Sequence, residues 1–340
     1  MPNPDTTSTD ATGTAPPPVR CEEGVVDVGA LPLEHGGSLG RVEVAYRLSG
    51  EAGLPVVAVM GGISAGRAVF GVRAGERGWW DEIVGPGLAL DVTCFRVLGF
   101  DFLGGSGGTT GPAAGETFPS LSSFDQAAML ARLLERLGLG RLHACVGASY
   151  GGMVALAFAQ RFGSRVGHAV VISAAHRTHP MSTAWRSVQR AIVRYALEHG
   201  EGSRGLMLAR ALAMATYRSA REFEERFAAP PQRAGEAFRF PVESYLFARG
   251  ESYAAQYRPE SFVCLSESID LHRVDPAAIA VPVTLVAVVE DQLVPLADVR
   301  HLRDHLAGTC RLVEISSLFG HDAFLKEKDV LRDVFAQALD

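Results

Sequence analysis

Apolar residues fall in two rhythms along this chain. Short unbroken runs at Val56–Met60, Phe95–Gly99, Ala144–Val146, Ala169–Ser173 and Val283–Val289 suit strands buried on both faces, as in a parallel sheet covered by helices. Gly24–Val28 and Val42–Leu48 alternate instead, which suits antiparallel strands. Ser123-Phe124-Asp125-Gln126 is a capping-box pattern that opens an amphipathic helix running to about Leu137, with Gly138 as its stop. Strands alternating with helices predict an α/β fold with a doubly wound, mostly parallel sheet.

Between His176 and Asp275 the rhythm changes. Helical segments at Thr183–Glu198, Ser203–Thr216, Ala220–Phe227 and Val242–Tyr257 follow one another with no strand between them, and strand signals resume at Val281. A helical cap over residues 176–275, inserted before the last strands, is expected on a core made of residues 21–175 and 276–340. Residues 1–20 are rich in Thr, Ser, Asp, Gly and Pro, with Ala15-Pro16-Pro17-Pro18 near the end, and predict a disordered tail.

One turn in this pattern carries chemistry. Gly147-Ala148-Ser149-Tyr150-Gly151 lies between a buried strand and an amphipathic helix, the context that makes Gly-x-Ser-x-Gly a nucleophile elbow. Ser149 then needs a base and an acid to orient it, which in this architecture follow it in chain order. His321 stands in a Gly-His loop just after the apolar run Leu312–Ile315. Val283–Val289 runs into two carboxylates, Glu290 and Asp291, and Asp291 lies farther into the loop before the next helix. His176, His179 and His272 fall in or beside the cap, and His301 and His305 on a helix, so packing or surface roles are expected for them. Oxyanion donors are expected from the N–H of Tyr150 and from Met60 or Gly61, Met60 being favoured, in the loop Met60-Gly61-Gly62-Ile63-Ser64-Ala65-Gly66-Arg67.

Composition narrows the class. A net charge of −6 with scattered Lys and Arg argues against a nucleic-acid surface. Five widely spaced cysteines without Cys-x-x-Cys suit a reduced cytoplasmic protein. No run reaches membrane-spanning length, and with no basic stretch followed by an apolar one near the start, no signal peptide is expected. No metal and no bound cofactor are expected.

From about residue 25 onward the chain resembles the homoserine O-acyltransferases of MetX type, α/β-hydrolase-fold enzymes of methionine biosynthesis. The strings that carry the likeness are Gly78-Trp79-Trp80-Asp81 with Gly85-Pro86-Gly87, and Leu103-Gly104-Gly105 through Gly107-Gly108-Thr109-Thr110-Gly111-Pro112. Others are Leu208-Ala209-Arg210, Thr216-Tyr217-Arg218-Ser219, Val242-Glu243-Ser244-Tyr245-Leu246 and Gly320-His321-Asp322-Ala323-Phe324-Leu325. The resemblance implies Ser149 as nucleophile, Asp291 as orienting acid and His321 as base. Arg210 would hold the amino acid's carboxylate and Asp322 its ammonium, with Tyr217 lining the same pocket.

It further implies ping-pong transfer from an acyl-CoA co-substrate to L-homoserine, in a homodimer joined through cap helices. The oxyanion loop departs from the acetyl-type pattern by carrying Arg67, a cation suited to the distal carboxylate of a succinyl group. Succinyl-CoA is therefore expected ahead of acetyl-CoA, with a structural pairing of Arg67 to Glu76 or Asp81, or a contact with CoA phosphates, as its other readings. A serine O-acyltransferase, or an esterase or thioesterase with the same triad, are the alternatives.

Overall fold

A computed structural model describes residues 19–340. The tail expected over 1–20 lies outside the described residues except for Val19 and Arg20. Eight strands make the main sheet: β1 (Cys21–Asp27), β2 (Glu43–Ser49), β3 (Val56–Met60), β4 (Arg96–Phe100), β5 (Leu142–Ala148), β6 (Val166–Ile172), β7 (Val283–Val288) and β8 (Cys310–Ile315). Their spatial order is β1-β2-β4-β3-β5-β6-β7-β8. β2 pairs antiparallel with both β1 and β4, and every pairing from β4 to β8 is parallel.

The unbroken apolar runs follow from burial on both sheet faces. Ala58, Cys145, Ala169, Val171 and Leu285 enter one core, beneath α1 (Ser123–Arg136) and α2 (Tyr150–Arg161). Their neighbours Val57, Val59, Val146, Val170 and Val286 enter the other, with Trp80 and Phe335. Period-two alternation thus feeds two cores, and the buried polar Thr284 is accommodated by a hydrogen bond to His168 Nε2 at 2.9 Å.

The cap expected over 176–275 is represented by five helices: α3 (Pro180–Glu198), α4 (Gly202–Tyr217), α5 (Ala220–Phe227), α6 (Pro241–Ala254) and α7 (Pro259–Asp270). Helix α3 packs on α4 and α7, and α4 on α6. Two features were not anticipated: α7, and a short hairpin pairing Gln232–Ala234 with Ala237–Arg239. In α7 the apolar Phe262, Leu265 and Ile269 are diluted by the buried serines Ser261, Ser266 and Ser268, which hides the helical period. The chain closes with α8 (Leu296–His305) and α9 (Lys328–Ala338).

The capping box of α1 sits one residue earlier than the sequence suggested. Ser122, not Ser123, is the N-cap: its Oγ accepts from Phe124 N at 3.2 Å, and Asp125 accepts from Ser122 N at 2.7 Å. Ser123 is left free to bond His272 Nδ1 at 2.7 Å, while His272 Nε2 lies 3.0 Å from the Ala175 carbonyl. That carbonyl can only accept, so Nε2 carries the proton and Nδ1 accepts from the serine. Burial pushes the His272 pKa down to about 4, in keeping with the packing role expected for it.

Candidate active site

Ser149 stands between β5 and α2 with φ 54° and ψ −120°, a left-handed conformation costly for a residue with a Cβ. The surroundings enforce it. Its N–H donates to the Ile172 carbonyl at 2.9 Å, and the next turn of helix starts at once, Met153 N donating back to Ser149 O at 3.2 Å. A Cβ at Gly147 would lie 2.2 Å from the Gly151 carbonyl oxygen, and one at Gly151 would lie 2.3 Å from that of Met60. Only glycine fits either side of this turn. The Ser149 hydroxyl does not cap α2, so it is free to point elsewhere.

It points at His321. Ser149 Oγ lies 2.8 Å from His321 Nε2, and His321 Nδ1 lies 2.7 Å from Asp291 Oδ2. Because the carboxylate is acceptor-only, Nδ1 carries the proton and Nε2 is left to accept from the serine hydroxyl. The other carboxylate oxygen, Asp291 Oδ1, accepts from Leu293 N at 2.8 Å and Val294 N at 3.0 Å. Asp291 follows β7, and His321 follows β8 in a 3-10 turn spanning Gly320–Leu325. Trp80 holds that turn, its indole N–H donating to the Phe324 carbonyl at 2.7 Å. Glu290, the competing carboxylate, turns away to Ser316 Oγ and Ser317 N.

Burial disfavours a charged His321, but the charge and hydrogen bond of Asp291, with Asp322 adding to them, outweigh it and raise the pKa above the ordinary histidine value. Arg186 acts in the opposite sense.

The expected oxyanion donors stand differently. Tyr150 is the first residue of α2, so its N–H has no preceding turn to bond. Met60 is buried against Gly151 and is absent from the cavity wall at Ser149, which Ile63 lines three residues later. The loop is fastened on both sides, Gly151 N donating to Gly61 O at 2.8 Å and Tyr257 Oη to Ile63 O at 2.7 Å. Of Met60 and Gly61, the favoured residue is the one set back in the strand.

Two spaces flank the turn that carries His321 and Asp322, the first residue lining one and the second the other. The inner one is walled by Ser149, His321, Tyr217 and side chains of α3 and α7. A wider outer cleft holds Arg210, Asp322, Arg218, Tyr253, Trp79 and Trp80. Arg210 sits between two aromatic faces, 5.0 Å from the centre of Tyr217 and 4.6 Å from that of Tyr253, with its Nη1 3.4 Å from Tyr217 Oη. Asp322 is not a free carboxylate: Arg218 Nε lies 3.0 Å from its Oδ2, an ion pair by distance whose N–H is not aimed at the oxygen. The sequence reading sets Asp322 and Arg210 at opposite ends of an amino acid and does not anticipate Arg218 beside the carboxylate.

Arg67 is a correction. It lines neither space. Its Nε meets Glu23 at 2.8 Å, its Nη1 pairs with Asp101, and its backbone N donates to the same aspartate at 2.8 Å. Its charge is already met by two carboxylates and it faces neither space, so it is not placed to hold a substrate. The structural reading of Arg67 holds, with Glu23 and Asp101 in place of the expected Glu76 or Asp81.

Comparison with known proteins adds the following. Residues 59–328 match the family model described as alpha/beta hydrolase fold. A homoserine O-succinyltransferase from Xanthomonas campestris pv. campestris is 44% identical over an alignment covering 98% of this chain and 88% of that one. A homoserine O-acetyltransferase from Clavibacter michiganensis subsp. michiganensis is 32% identical, covering 92% and 91%. The crystal structure of homoserine O-acetyltransferase from Bacillus anthracis superposes with a TM-score of 0.86 at 18% identity, covering 94% of this chain and 98% of that one.

Proposed function

Since the chain belongs to the α/β-hydrolase fold and, within it, to the homoserine O-acyltransferases of methionine biosynthesis, we propose that it transfers a succinyl group from succinyl-CoA to L-homoserine through an acyl-Ser149 enzyme. The observation that carries this reading is the Ser149–His321–Asp291 chain of hydrogen bonds, set beside a cleft that offers a cation and an anion to an amino acid.

In the first half-reaction Ser149 Oγ attacks the thioester carbonyl while its proton passes to His321 Nε2. The Oγ–C bond forms, the C–S bond breaks, and the proton leaves with CoA as the thiol. In the second, the homoserine hydroxyl gives its proton to Nε2 and attacks the acyl carbon. Ser149 takes that proton back as the O-acyl product leaves. Asp291 keeps His321 in the tautomer both halves need.

The N–H groups of Tyr150 and Ile63 are the donors to the oxyanion in this reading. Ile63 replaces Met60 because it reaches the cavity at Ser149. Arg210 takes the homoserine carboxylate as a fork. Asp322, shared with Arg218, takes its ammonium.

Residues 176–275 act as the cap that shields the acyl-enzyme from water. No helix among the described residues is long and apolar enough to cross a membrane, and the five cysteines are free thiols, which suits the cytoplasm. A homodimer through the cap is part of the proposal. Met181, Val188 and Tyr195 recur every seven residues on α3 and are 53%, 54% and 66% exposed, a seam that a second copy would cover.

The test is thiol release from succinyl-CoA and from acetyl-CoA, each with L-homoserine, with L-serine and with no acceptor. Homoserine-dependent release from succinyl-CoA supports the full reading. Dependence on homoserine with acetyl-CoA alone keeps the mechanism and overturns the donor. Release that ignores the acceptor makes the protein a thioesterase.

A further inference from the structure

With Arg67 sequestered, the inner cavity holds another cation suited to a distal carboxylate. Arg186, on the cavity-facing side of α3, lines the same space as Ser149 and His321. Its Nε and Nη2 both bond Asp270 Oδ1, at 2.9 and 2.7 Å, while its Nη1 has no hydrogen-bond partner among the described residues. Asp270 is fully engaged, since Thr183 Oγ1 donates to the same oxygen at 2.9 Å and Arg190 Nη1 to the other at 2.6 Å. Two guanidinium groups thus share one carboxylate, and the trio carries one uncompensated positive charge. Asp291, which also serves this site, is bound to His321.

The same wall also carries one further cation, Arg177, and one carboxylate, Asp298, which balance in number without forming an ion pair. Arg186 is also close enough to act on the charge of His321. A second unsatisfied group lies beside it. Ser173 directly follows β6 with φ 50°, is 1% exposed, lines the cavity, and its Oγ has no hydrogen-bond partner among the described residues. A buried hydroxyl left unpaired and a strained backbone next to a nucleophile mark a place built for a polar ligand.

We propose that Arg186, braced by Asp270, anchors the terminal carboxylate of the acyl group in the inner cavity and so selects a dicarboxylic half-thioester over a neutral acyl donor. This deepens the succinyl reading above and rests on it. The brace matters chemically: with two of its N–H groups tied to one oxygen, the guanidinium is pre-oriented and presents its free nitrogen without losing side-chain freedom on binding.

The test uses the full-length enzyme with saturating L-homoserine. Donors are succinyl-CoA, acetyl-CoA and butyryl-CoA, which replaces the carboxylate by a methyl group. Arg186→Leu should lose on the order of 10–100-fold in kcat/KM with succinyl-CoA, the worth of one charge-assisted contact, and change less than about threefold with the neutral donors. Arg186→Lys, which keeps the charge, should recover part of the loss.

Equal losses with all donors would reduce Arg186 to a brace for Asp270 and overturn the proposal. So would succinyl-CoA turnover by Arg186→Leu within threefold of wild type, or a succinyl-selective loss on Arg177→Leu instead. Absence of succinyl transfer by the wild-type enzyme would overturn the donor reading and this proposal together, and is told apart because no variant is needed to see it.

Discussion

Asp291→Asn is a substitution whose outcome the surrounding hydrogen bonds dictate. The side chain has no freedom to choose its orientation. Leu293 N and Val294 N both aim at Oδ1, so the carboxamide oxygen must stay there, and the new NH2 must occupy the place of Oδ2, 2.7 Å from His321 Nδ1. A donor now faces Nδ1, which has to become the acceptor, and the ring proton moves to Nε2. His321 then presents N–H to Ser149 and can no longer take its proton. A misplaced tautomer costs on the order of 10³–10⁴ in kcat, about 4–5.5 kcal/mol of barrier.

The same change removes the carboxylate whose charge and hydrogen bond outweigh burial at His321, so the pKa of the ring falls. The rising limb of kcat/KM against pH, which reports loss of that proton, should shift to lower pH in whatever activity remains. Stability follows with the opposite slope. A raised folded pKa stabilises the wild type fully below the unfolded value of about 6.5, and this is lost as pH rises through the folded value. The variant should lack that loss. Thiol-release kinetics from pH 5.5 to 9, with thermal unfolding at each pH, read all three quantities. A drop in kcat of less than tenfold, or a limb displaced upward, would refute the reasoning.

Ser149→Ala should abolish transfer, with at least about a 10⁴-fold loss and an unchanged unfolding midpoint, and intact mass after acyl-CoA addition should show no acyl adduct. Arg67→Leu should leave the ratio of succinyl to acetyl turnover unchanged and cost about 1–3 kcal/mol of stability, measured by urea unfolding, because the buried Asp101 keeps only its bonds from Arg67 N and Gly108 N. Gly151→Ala places a Cβ 2.3 Å from the Met60 carbonyl oxygen and should cost about 1–3 kcal/mol by the same method, with a fall in kcat as the Tyr150 N–H moves.

The hydrogen-bonded arrangement of Ser149, His321 and Asp291 was legible because each member stands just after a strand of apolar residues, and this architecture fixes their order along the chain. Even the choice between Glu290 and Asp291 followed from distance into the loop. Arg67 was not legible in the same way. Its partners Glu23 and Asp101 stand far from it in sequence, and nothing in the loop itself announces that the cation is already neutralised. Arg186 escaped notice for a related reason: on an amphipathic helix an arginine reads as solvated, and the α7 helix that supplies Asp270 has too many serines to declare its period. Side chains whose meaning depends on one strand end could be read; those whose meaning depends on a distant carboxylate could not.

The sheet order has a consequence for how this protein is made. β6 and β7 are bonded neighbours, Ala169 opposite Val283 and Ile172 opposite Val286, yet residues 173–282 lie between them in the chain. On a ribosome adding 5–20 residues per second, on the order of ten seconds pass after β6 emerges before β7 exists to pair with it. Throughout that interval the nascent chain carries an exposed apolar strand edge, open to pairing with the wrong partner. A slower passage through the cap codons lengthens the exposure, and a chaperone that shields this edge until Val288 has left the tunnel shortens it. Yield in expression should therefore respond to translation speed over the cap more than over any other stretch.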